Sequence, residues 1–362
     1  MQVSGVIARR SLLSAALAMV LALFSFGASN RVGLDQLARR RGLRWGAAIS
    51  VEALEQPDLV QLLLANVGSI TPENAFKWAA TEPRQGQLEW KAVDQLMQFA
   101  RRHQLQLRGH TLVWHEQLPG WLTALPAAAR AQALKAHITR LMQHTRGAVS
   151  SWDVINEPID PEGKGLRDTI WSQTLGADYI GTVLQWARAA DPQARLFIND
   201  YGLEGDDPQS LRKRRALLDL IDSLQRRQVP LDGIGLQAHL LAPPEGSPPF
   251  TTLPGFLKQL RQRGLLVEVT ELDVSDREVN GTITTRDRQV AATYQAFLQA
   301  VLSEPALQRI TSWGLSDRET WLNRAFPRRD GQPQRPLPFD TRLQPKLALH
   351  QIDATIRRAR SW

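Results

Sequence analysis

The stretch SWDVINEP, residues 151–158, contains the pattern from which the fold can be predicted. Ser151–Ile155 is rich in apolar and β-branched residues, which is typical of a short buried strand, and the polar pair Asn156 and Glu157 follows it. On either side, Pro126–Thr145 and Asp178–Ala190 carry apolar residues three and four positions apart, which predicts two helices. A strand between two helices indicates a parallel sheet covered by helices.

The same alternation recurs along most of the chain. The candidate strands are Leu43–Ile49, Val67–Ile70, Leu105–Thr111, Ser151–Ile155, Arg195–Asn199, Gly233–Gln237, Leu265–Thr270 and Ile310–Gly314. Further helices are predicted over Trp90–His103, Pro208–Arg227, Leu253–Gly264 and Arg286–Ser303. Eight parallel strands close a barrel, so we predict an α/β fold, a single-domain (β/α)8 TIM barrel. The alternative, an open doubly wound sheet, calls for a glycine-rich phosphate loop after the first strand, and the sequence has none there.

The N-terminus is typical of a targeting segment. Arg9 and Arg10 precede an apolar run over Leu12–Phe26, and small residues follow up to Ala28. The run is shorter than the roughly 18 residues that a membrane-spanning helix needs. The paired arginines fit a twin-arginine signal or an ordinary secretory signal, and an uncleaved anchor is a third alternative. We therefore expect an exported protein, secreted or periplasmic, with a signal peptide over residues 1–28, an extension over 29–42 and the barrel over 43–357.

Composition excludes several classes of site. The 362 residues include no cysteine, so disulfides, thiolate metal sites and a cysteine nucleophile are excluded. Basic residues outnumber acidic ones by 44 to 36, and 37 of them are arginine. The basic clusters at 39–41 and 212–215 are short and lack interleaved aromatic residues, which argues against a nucleic-acid partner. No two histidines stand at the spacing of metal ligands, so we expect no metal and no cofactor. We also expect a monomer.

Polar residues follow the predicted strands at the point where each strand ends. In a TIM barrel these ends meet at one mouth, and burying so many polar groups is costly without a polar ligand. Amides, carboxylates and indoles together, with no basic cluster for phosphate, favour a carbohydrate ligand. Glu157 and Glu271 follow strands on different sides of the ring, and two carboxylates are the minimum for cleaving a glycosidic bond.

At these residues the sequence resembles glycoside hydrolase family 10, the endo-β-1,4-xylanases. The resemblance runs from about Leu43 to Arg357, and the stretches that carry it are Thr71–Trp78, Arg108–Pro119, Trp152–Pro158, Gly233–Leu240, Thr270–Asp273 and Trp313–Trp321. Leu236 and Ala238 depart from the family pattern, which more often has a small polar residue and a glycine there. The loops Ile159–Gly165 and Phe326–Arg335 also look unusual, which leaves specificity on the leaving-group side open.

The resemblance implies a role for individual residues. Glu157 corresponds to the general acid/base and Glu271 to the nucleophile of a retaining enzyme, while His239 and Asp273 orient the nucleophile. Asn156 corresponds to the ligand of the sugar 2-hydroxyl, and Gln237 to a ligand near the cleaved bond. Residues implied to bind sugars on the non-reducing side are Glu73, Asn74, Lys77, His110, Trp114 and Gln117. Trp313 and Trp321 correspond to an aromatic floor and lid, and Trp321 would disfavour sugars with an exocyclic hydroxymethyl group.

The predicted function is therefore a retaining endo-β-1,4-xylanase, with xylan or a related β-1,4-glycan as its partner. Three alternatives remain open: a hydrolase of other β-linked glycans such as mixed glucan, a catalytically silent sugar-binding protein, and a basic protein that binds polyanions. The silent protein would be expected to have lost one of the two glutamates, and both are present. Asp200 and Tyr201 also follow a strand, but we interpret them as structural.

Overall fold

Eight parallel strands close into a ring in the computed structural model, which describes residues 32–246 and 248–359. The strands are β1 (Arg44–Ile49), β2 (Ser69–Pro72), β3 (Gln106–Val113), β4 (Val149–Asn156), β5 (Arg195–Asp200), β6 (Gly233–Leu236), β7 (His239–Leu241), β8 (Leu266–Ser275) and β9 (Leu307–Ser312). Strands β1 to β6 follow one another around the ring, β8 pairs with β6, and β9 closes the ring against β1. The short β7 lies beside the C-terminal half of β8. The predicted (β/α)8 TIM barrel is confirmed.

Helices cover the outside of the ring, and the strands are consequently buried on both faces. Their bounds are Leu34–Arg39, Pro57–Asn66, Trp78–Thr81, Lys91–Arg102, Ala127–His144, Ile170–Leu175, Tyr179–Ala190, Pro208–Arg226, Leu253–Gln262, Ile283–Val301, Leu322–Ala325 and Leu347–Arg358. Short 3₁₀ helices span Glu52–Glu55, Leu122–Ala124 and Asp317–Glu319. Six of these helices were predicted, and each begins and ends within three residues of its predicted bounds.

Two predicted strands differ most from the observed ones. The strand expected over Leu265–Thr270 continues to Ser275, because its C-terminal half pairs with β7. The strand expected over Ile310–Gly314 spans Leu307–Ser312 instead, and Gly314, with φ of 100°, turns the chain away from the ring. Glu271 and Asp273 therefore lie within β8 and not in the loop after it.

The predicted signal peptide, residues 1–28, lies outside the residues that the structure describes. Part of the predicted extension is described, and it contains the helix Leu34–Arg39. Asp35 of this helix accepts a hydrogen bond from the backbone N–H of Trp45 in β1, which ties the helix to the ring. Among the described helices, none is long and apolar enough to cross a membrane.

An ion-pair cluster fills part of the barrel interior. Arg108 of β3 forms a bidentate pair with Asp153 of β4 and donates from Nε to Glu268 of β8 at 2.7 Å. All three side chains are at most 2% exposed. Strands β3 and β8 are opposite each other in the ring of eight, so the cluster connects the two halves of the barrel.

We predict that Arg108→Met lowers the free energy of unfolding by about 3–5 kcal/mol, because Asp153 and Glu268 would stay buried without the guanidinium that lies between them. Denaturant titration of the purified protein measures the change. The control is Arg357→Ala, which removes an exposed helix pair with Asp353 and should leave the stability nearly unchanged. A loss below about 1 kcal/mol for Arg108→Met would contradict the prediction.

Candidate active site

A cavity of about 510 Å³ opens at the C-terminal mouth of the barrel. The predicted site residues that line it are Glu73, Asn74, Lys77, His110, Trp114, Gln117, Asn156, Glu157, Gln237, His239, Glu271, Trp313 and Trp321. Asp273, the remaining predicted residue, is buried behind His239 and contacts its ring. Side chains contributed from Glu73 to Trp321 along the chain therefore meet at one place, because parallel strands end at the same edge of the barrel.

Glu271 is a buried carboxylate, 4% exposed, with both oxygens bound. Oε1 accepts a hydrogen bond from Nδ2 of Asn199 at 2.7 Å, and Oε2 lies 3.2 Å from Nε2 of His239. Burial by itself raises the pKa of Glu271, but the imidazoles of His110 and His239 and the amide of Asn199 outweigh it and lower the pKa to about 2. Glu271 is therefore ionised at neutral pH.

An irregularity in β8 aims Glu271 at the cavity. Successive residues of a regular strand point to opposite faces, yet the neighbours Thr270 and Glu271 both bind the side chain of Asn199. The pairing of β8 with β9 shifts register between Val269 and Leu272, which is the position of this pair. A register shift of this kind re-aims side chains next to functional sites.

His239 connects Glu271 to a second carboxylate. Its Nδ1 lies 3.0 Å from Oδ1 of Asp273, whose other oxygen accepts a hydrogen bond from the indole N–H of Trp321 at 2.8 Å. Burial lowers the pKa of His239, but Asp273 and Glu271 on its two sides raise it to about 10. A protonated imidazole thus lies between two carboxylates and donates to each of them.

Glu157 has a different environment. It follows β4 in a left-handed backbone conformation, φ 57°, and its N–H donates to the carbonyl of Asn199 at 2.7 Å. Its Oε1 accepts hydrogen bonds from Nδ2 of Asn156 at 3.2 Å and from Nε2 of Gln237 at 3.1 Å. Within residues 32–246 and 248–359, Oε2 of Glu157 has no hydrogen-bond partner. One oxygen is held by two amides while the other is available to a ligand.

Another flank of the cavity is formed by predicted residues that follow β2 and β3, namely Glu73, Asn74, Lys77, Trp114 and Gln117. Nζ of Lys77 donates to Oδ1 of Asn74 at 3.0 Å and lies 5.1 Å from the ring centre of Trp114. Burial lowers the pKa of Lys77, against the charges of Glu271, Glu73 and Glu157. Burial also raises the pKa of Glu73, against the charge of Lys77. Polar groups and an indole face are thus presented together, as a sugar requires.

Asn199 is a site residue that the sequence analysis did not assign. Its side chain is fully buried, and its Nδ2 donates both to Oε1 of Glu271 and to Oδ1 of Asn156, at 2.7 and 2.8 Å. It follows the same strand-end rule as Asn156, since it is the next-to-last residue of β5. Asn199 could have been identified from the sequence, because it lies at the end of β5, the strand next to the one that ends in Asn156.

Five other residues also line the cavity: Glu116, Tyr201, Gly202, Arg324 and Phe326. Tyr201, which we interpreted as structural, follows β5 directly and could have been found from that position. Arg324 belongs to the short helix Leu322–Ala325, and Phe326 follows it directly; neither carries a periodic signal that would have identified it. Among the described residues, no group of three or more histidine and carboxylate side chains could hold a metal ion.

The shifted pKa of Glu271 predicts a pH dependence of stability. Because the pKa is about 2 in the native state and near 4.5 in the unfolded chain, Glu271 stabilises the fold above pH 4.5 and loses this effect as the pH falls towards 2. The stability advantage of wild type over Glu271→Gln should therefore shrink by on the order of 3 kcal/mol between about pH 5 and pH 2. Urea titrations across this range measure it, and a constant difference would contradict the prediction.

The comparisons with known proteins concern the family and the fold. The sequence model of glycosyl hydrolase family 10 matches residues 33–355. Endo-1,4-beta-xylanase 3 of Hypocrea jecorina is 36% identical over 321 residues, which are 88% of this chain and 84% of that protein. Xylanase 10B from Thermotoga maritima superposes with a TM-score of 0.82 at 28% identity, over 90% of this chain and 98% of that one.

A further solved structure holds a sugar. Xylanase 10B from Thermotoga petrophila RKU-1, in complex with xylobiose, superposes with a TM-score of 0.81 at 27% identity, over 92% of this chain and 99% of that one. The family match covers nearly all of the described residues, and the chain of the Hypocrea relative is matched over most of its length. The protein therefore belongs to glycosyl hydrolase family 10.

Proposed function

We propose that the protein is an endo-β-1,4-xylanase that hydrolyses internal bonds of xylan with retention of configuration. The observation that carries this proposal is the asymmetry between Glu157 and Glu271 within one hydrogen-bond network. Glu271 has both oxygens bound and a pKa of about 2, whereas Oε2 of Glu157 has no hydrogen-bond partner in the part of the chain that the structure describes. One carboxylate is prepared to hold charge and the other to exchange a proton with a ligand.

The first step uses both groups. Glu271 attacks the anomeric carbon, its Oε forms a bond to that carbon, and the bond from the carbon to the leaving oxygen breaks. Glu157 gives its proton to that leaving oxygen, so the departing sugar leaves as an alcohol. A covalent glycosyl–enzyme results.

The second step reverses the roles. Glu157, now ionised, takes a proton from water as the water oxygen bonds to the anomeric carbon, and Glu271 departs as a carboxylate. His239 supports both steps because its protonated ring can donate to the charge that Glu271 loses and regains. Two inversions give net retention.

The names of the relatives support xylan as the substrate. The Hypocrea protein is named an endo-1,4-beta-xylanase, and the Thermotoga petrophila structure contains xylobiose. In this chain, Trp321 lies at the cavity wall with its indole held by Asp273 and packed against His239, 5.0 Å between ring centres. The family resemblance implies that an indole at this position disfavours the hydroxymethyl group of a glucose unit, which xylose lacks.

The substrate class is tested with xylan, cellulose and lichenan. We expect the purified protein to release reducing sugar from xylan with a kcat/KM at least about tenfold above that on either glucan, a difference of about 1.4 kcal/mol in transition-state binding. Greater release from lichenan would identify a mixed-glucan hydrolase. Binding to xylan with no release would identify a silent sugar-binding protein, and salt-sensitive polyanion binding alone would identify the basic binding protein.

The roles of the two glutamates are tested by substitution to alanine. Glu271→Ala should abolish hydrolysis, and azide should restore part of it on an activated aryl glycoside with an inverted product, because the small anion enters the space of the missing carboxylate. Glu157→Ala should lower xylan hydrolysis by about 10²–10⁴-fold but spare aryl glycosides whose leaving group needs no proton. Product configuration is read by proton NMR. Equal hydrolysis of xylan by wild type and Glu157→Ala would refute the assignment.

A further inference from the structure

A break separates β6 from β7 at the mouth of the barrel. Leu236 pairs with Val269 of β8, but His239 pairs with Asp273, so β8 contains one residue more than the opposite segment over this interval. The break is formed by Gln237 and Ala238. An extra residue on one strand bends it locally and changes the direction of the side chains beside it.

Ala238 takes an unusual backbone conformation at this break. Its φ is 59°, in the left-handed region, where a Cβ atom clashes with the backbone and glycine is preferred. Ala238 is also completely buried, so water does not reach its N–H group. Something in the protein has to bind that N–H and keep the residue in this conformation.

The side chain of Glu204 supplies the partner. Its Oε1 accepts the N–H of Ala238 at 2.8 Å, and its Oε2 accepts the N–H of Leu203 at 2.8 Å. Glu204 is 4% exposed, and its own backbone carbonyl accepts a hydrogen bond from Nη2 of Arg214 at 2.9 Å. Burial raises the pKa of Glu204, while the hydrogen bonds from Ala238 and Leu203 oppose that shift. Burying a carboxylate costs free energy unless it is hydrogen-bonded, and the hydrogen bond to Ala238 ties this carboxylate to the turn between two cavity residues.

The turn that Glu204 binds lies between two site residues. Gln237, on one side of Ala238, donates to Oε1 of Glu157, and His239, on the other side, contacts Oε2 of Glu271. The carbonyls of the turn also hold β8, since the N–H of Glu271 donates to Gln237 and that of Asp273 to Ala238. A shift of this turn would move the partners of both carboxylates together.

We propose that Glu204 is a positioning residue. It fixes the backbone turn formed by Gln237 and Ala238, and it thereby holds Gln237 against Glu157 and His239 against Glu271. Its kinetic consequence rests on the proposed function, whereas its effect on His239 does not. Glu204 does not line the cavity, so it acts through the two residues that do.

Two substitutions separate the hydrogen bond from simple packing. Glu204→Met keeps the volume and length of the side chain but cannot accept the N–H of Ala238. Glu204→Gln keeps a carbonyl oxygen for Ala238 and places its NH₂ against the N–H of Leu203. We expect kcat on xylan to fall by about 10²-fold for Glu204→Met and by about tenfold for Glu204→Gln, with KM within about threefold of wild type.

Glu304→Gln is the matched control. Glu304 is 5% exposed and likewise accepts a backbone N–H, that of Ala306 at 3.3 Å, but it lies before β9 at the opposite end of the barrel. The Glu304→Gln substitution should lower the unfolding temperature without changing kcat. If Glu204 were only structural, its variants would behave in the same way, so a fall in stability with an unchanged kcat would overturn the proposal.

Imidazole NMR gives a readout that needs no activity. In protein labelled with ¹⁵N-histidine, the His239 signals, assigned with His239→Gln, should shift in both Glu204 variants and stay in place in Glu304→Gln. Unchanged His239 signals would overturn the proposal. If Glu204→Met does not fold, Glu204→Gln decides by the same two criteria. A wild type that releases nothing from xylan would refute the proposed function, and the NMR result would then decide the role of Glu204 alone.

Discussion

The negative charge on Glu271, buried at the mouth of the barrel, is the constraint on which the surrounding structure depends. An isolated buried carboxylate would take up a proton, so its charge has to be compensated by groups that are themselves held in place. His239 is held by Asp273, and His110 lies 2.9 Å from Asp153. Asp153 in turn pairs with Arg108, which reaches Glu268 across the barrel. The charges of the site thus continue into the interior that holds the ring together.

The same constraint explains where the backbone is irregular. Regular strands would present either Thr270 or Glu271 to Asn199, and the register shift in β8 presents both. Beside β8, which has one residue more than the segment opposite it, Ala238 takes a left-handed conformation that its side chain disfavours. The apolar strand residues next to these departures, Leu236, Val269 and Leu272, remain fully buried.

The sequence predicted the barrel because helical and strand periodicities alternate along it, and it predicted the cavity because strand ends share one edge. The roles of Glu157 and Glu271 came from the family resemblance, since spacing alone does not distinguish an acid from a nucleophile. Asn199 could have been predicted as a site residue, because it lies at the end of a strand. Glu204 could not have been predicted, because its proposed role depends on the left-handed conformation of Ala238, and alanine gives no sequence signal for that conformation. The extension of β8 was missed because Glu271, Asp273 and Ser275 interrupt its apolar residues.

The charge of Glu271 also determines the direction of the amides between the two carboxylates. An ionised carboxylate only accepts, so Asn199 has to present its NH₂ group to Oε1 of Glu271, and Thr270 donates to the carbonyl oxygen at the other end of that amide. The second proton of that NH₂ goes to Oδ1 of Asn156, which leaves the NH₂ of Asn156 facing Glu157. In the proposed mechanism Glu271 becomes an ester, which is still an acceptor, so the amides need not turn. In that mechanism the network can keep one arrangement while the charge passes from Glu271 to Glu157, so the proposed reaction requires no reorganisation of these side chains.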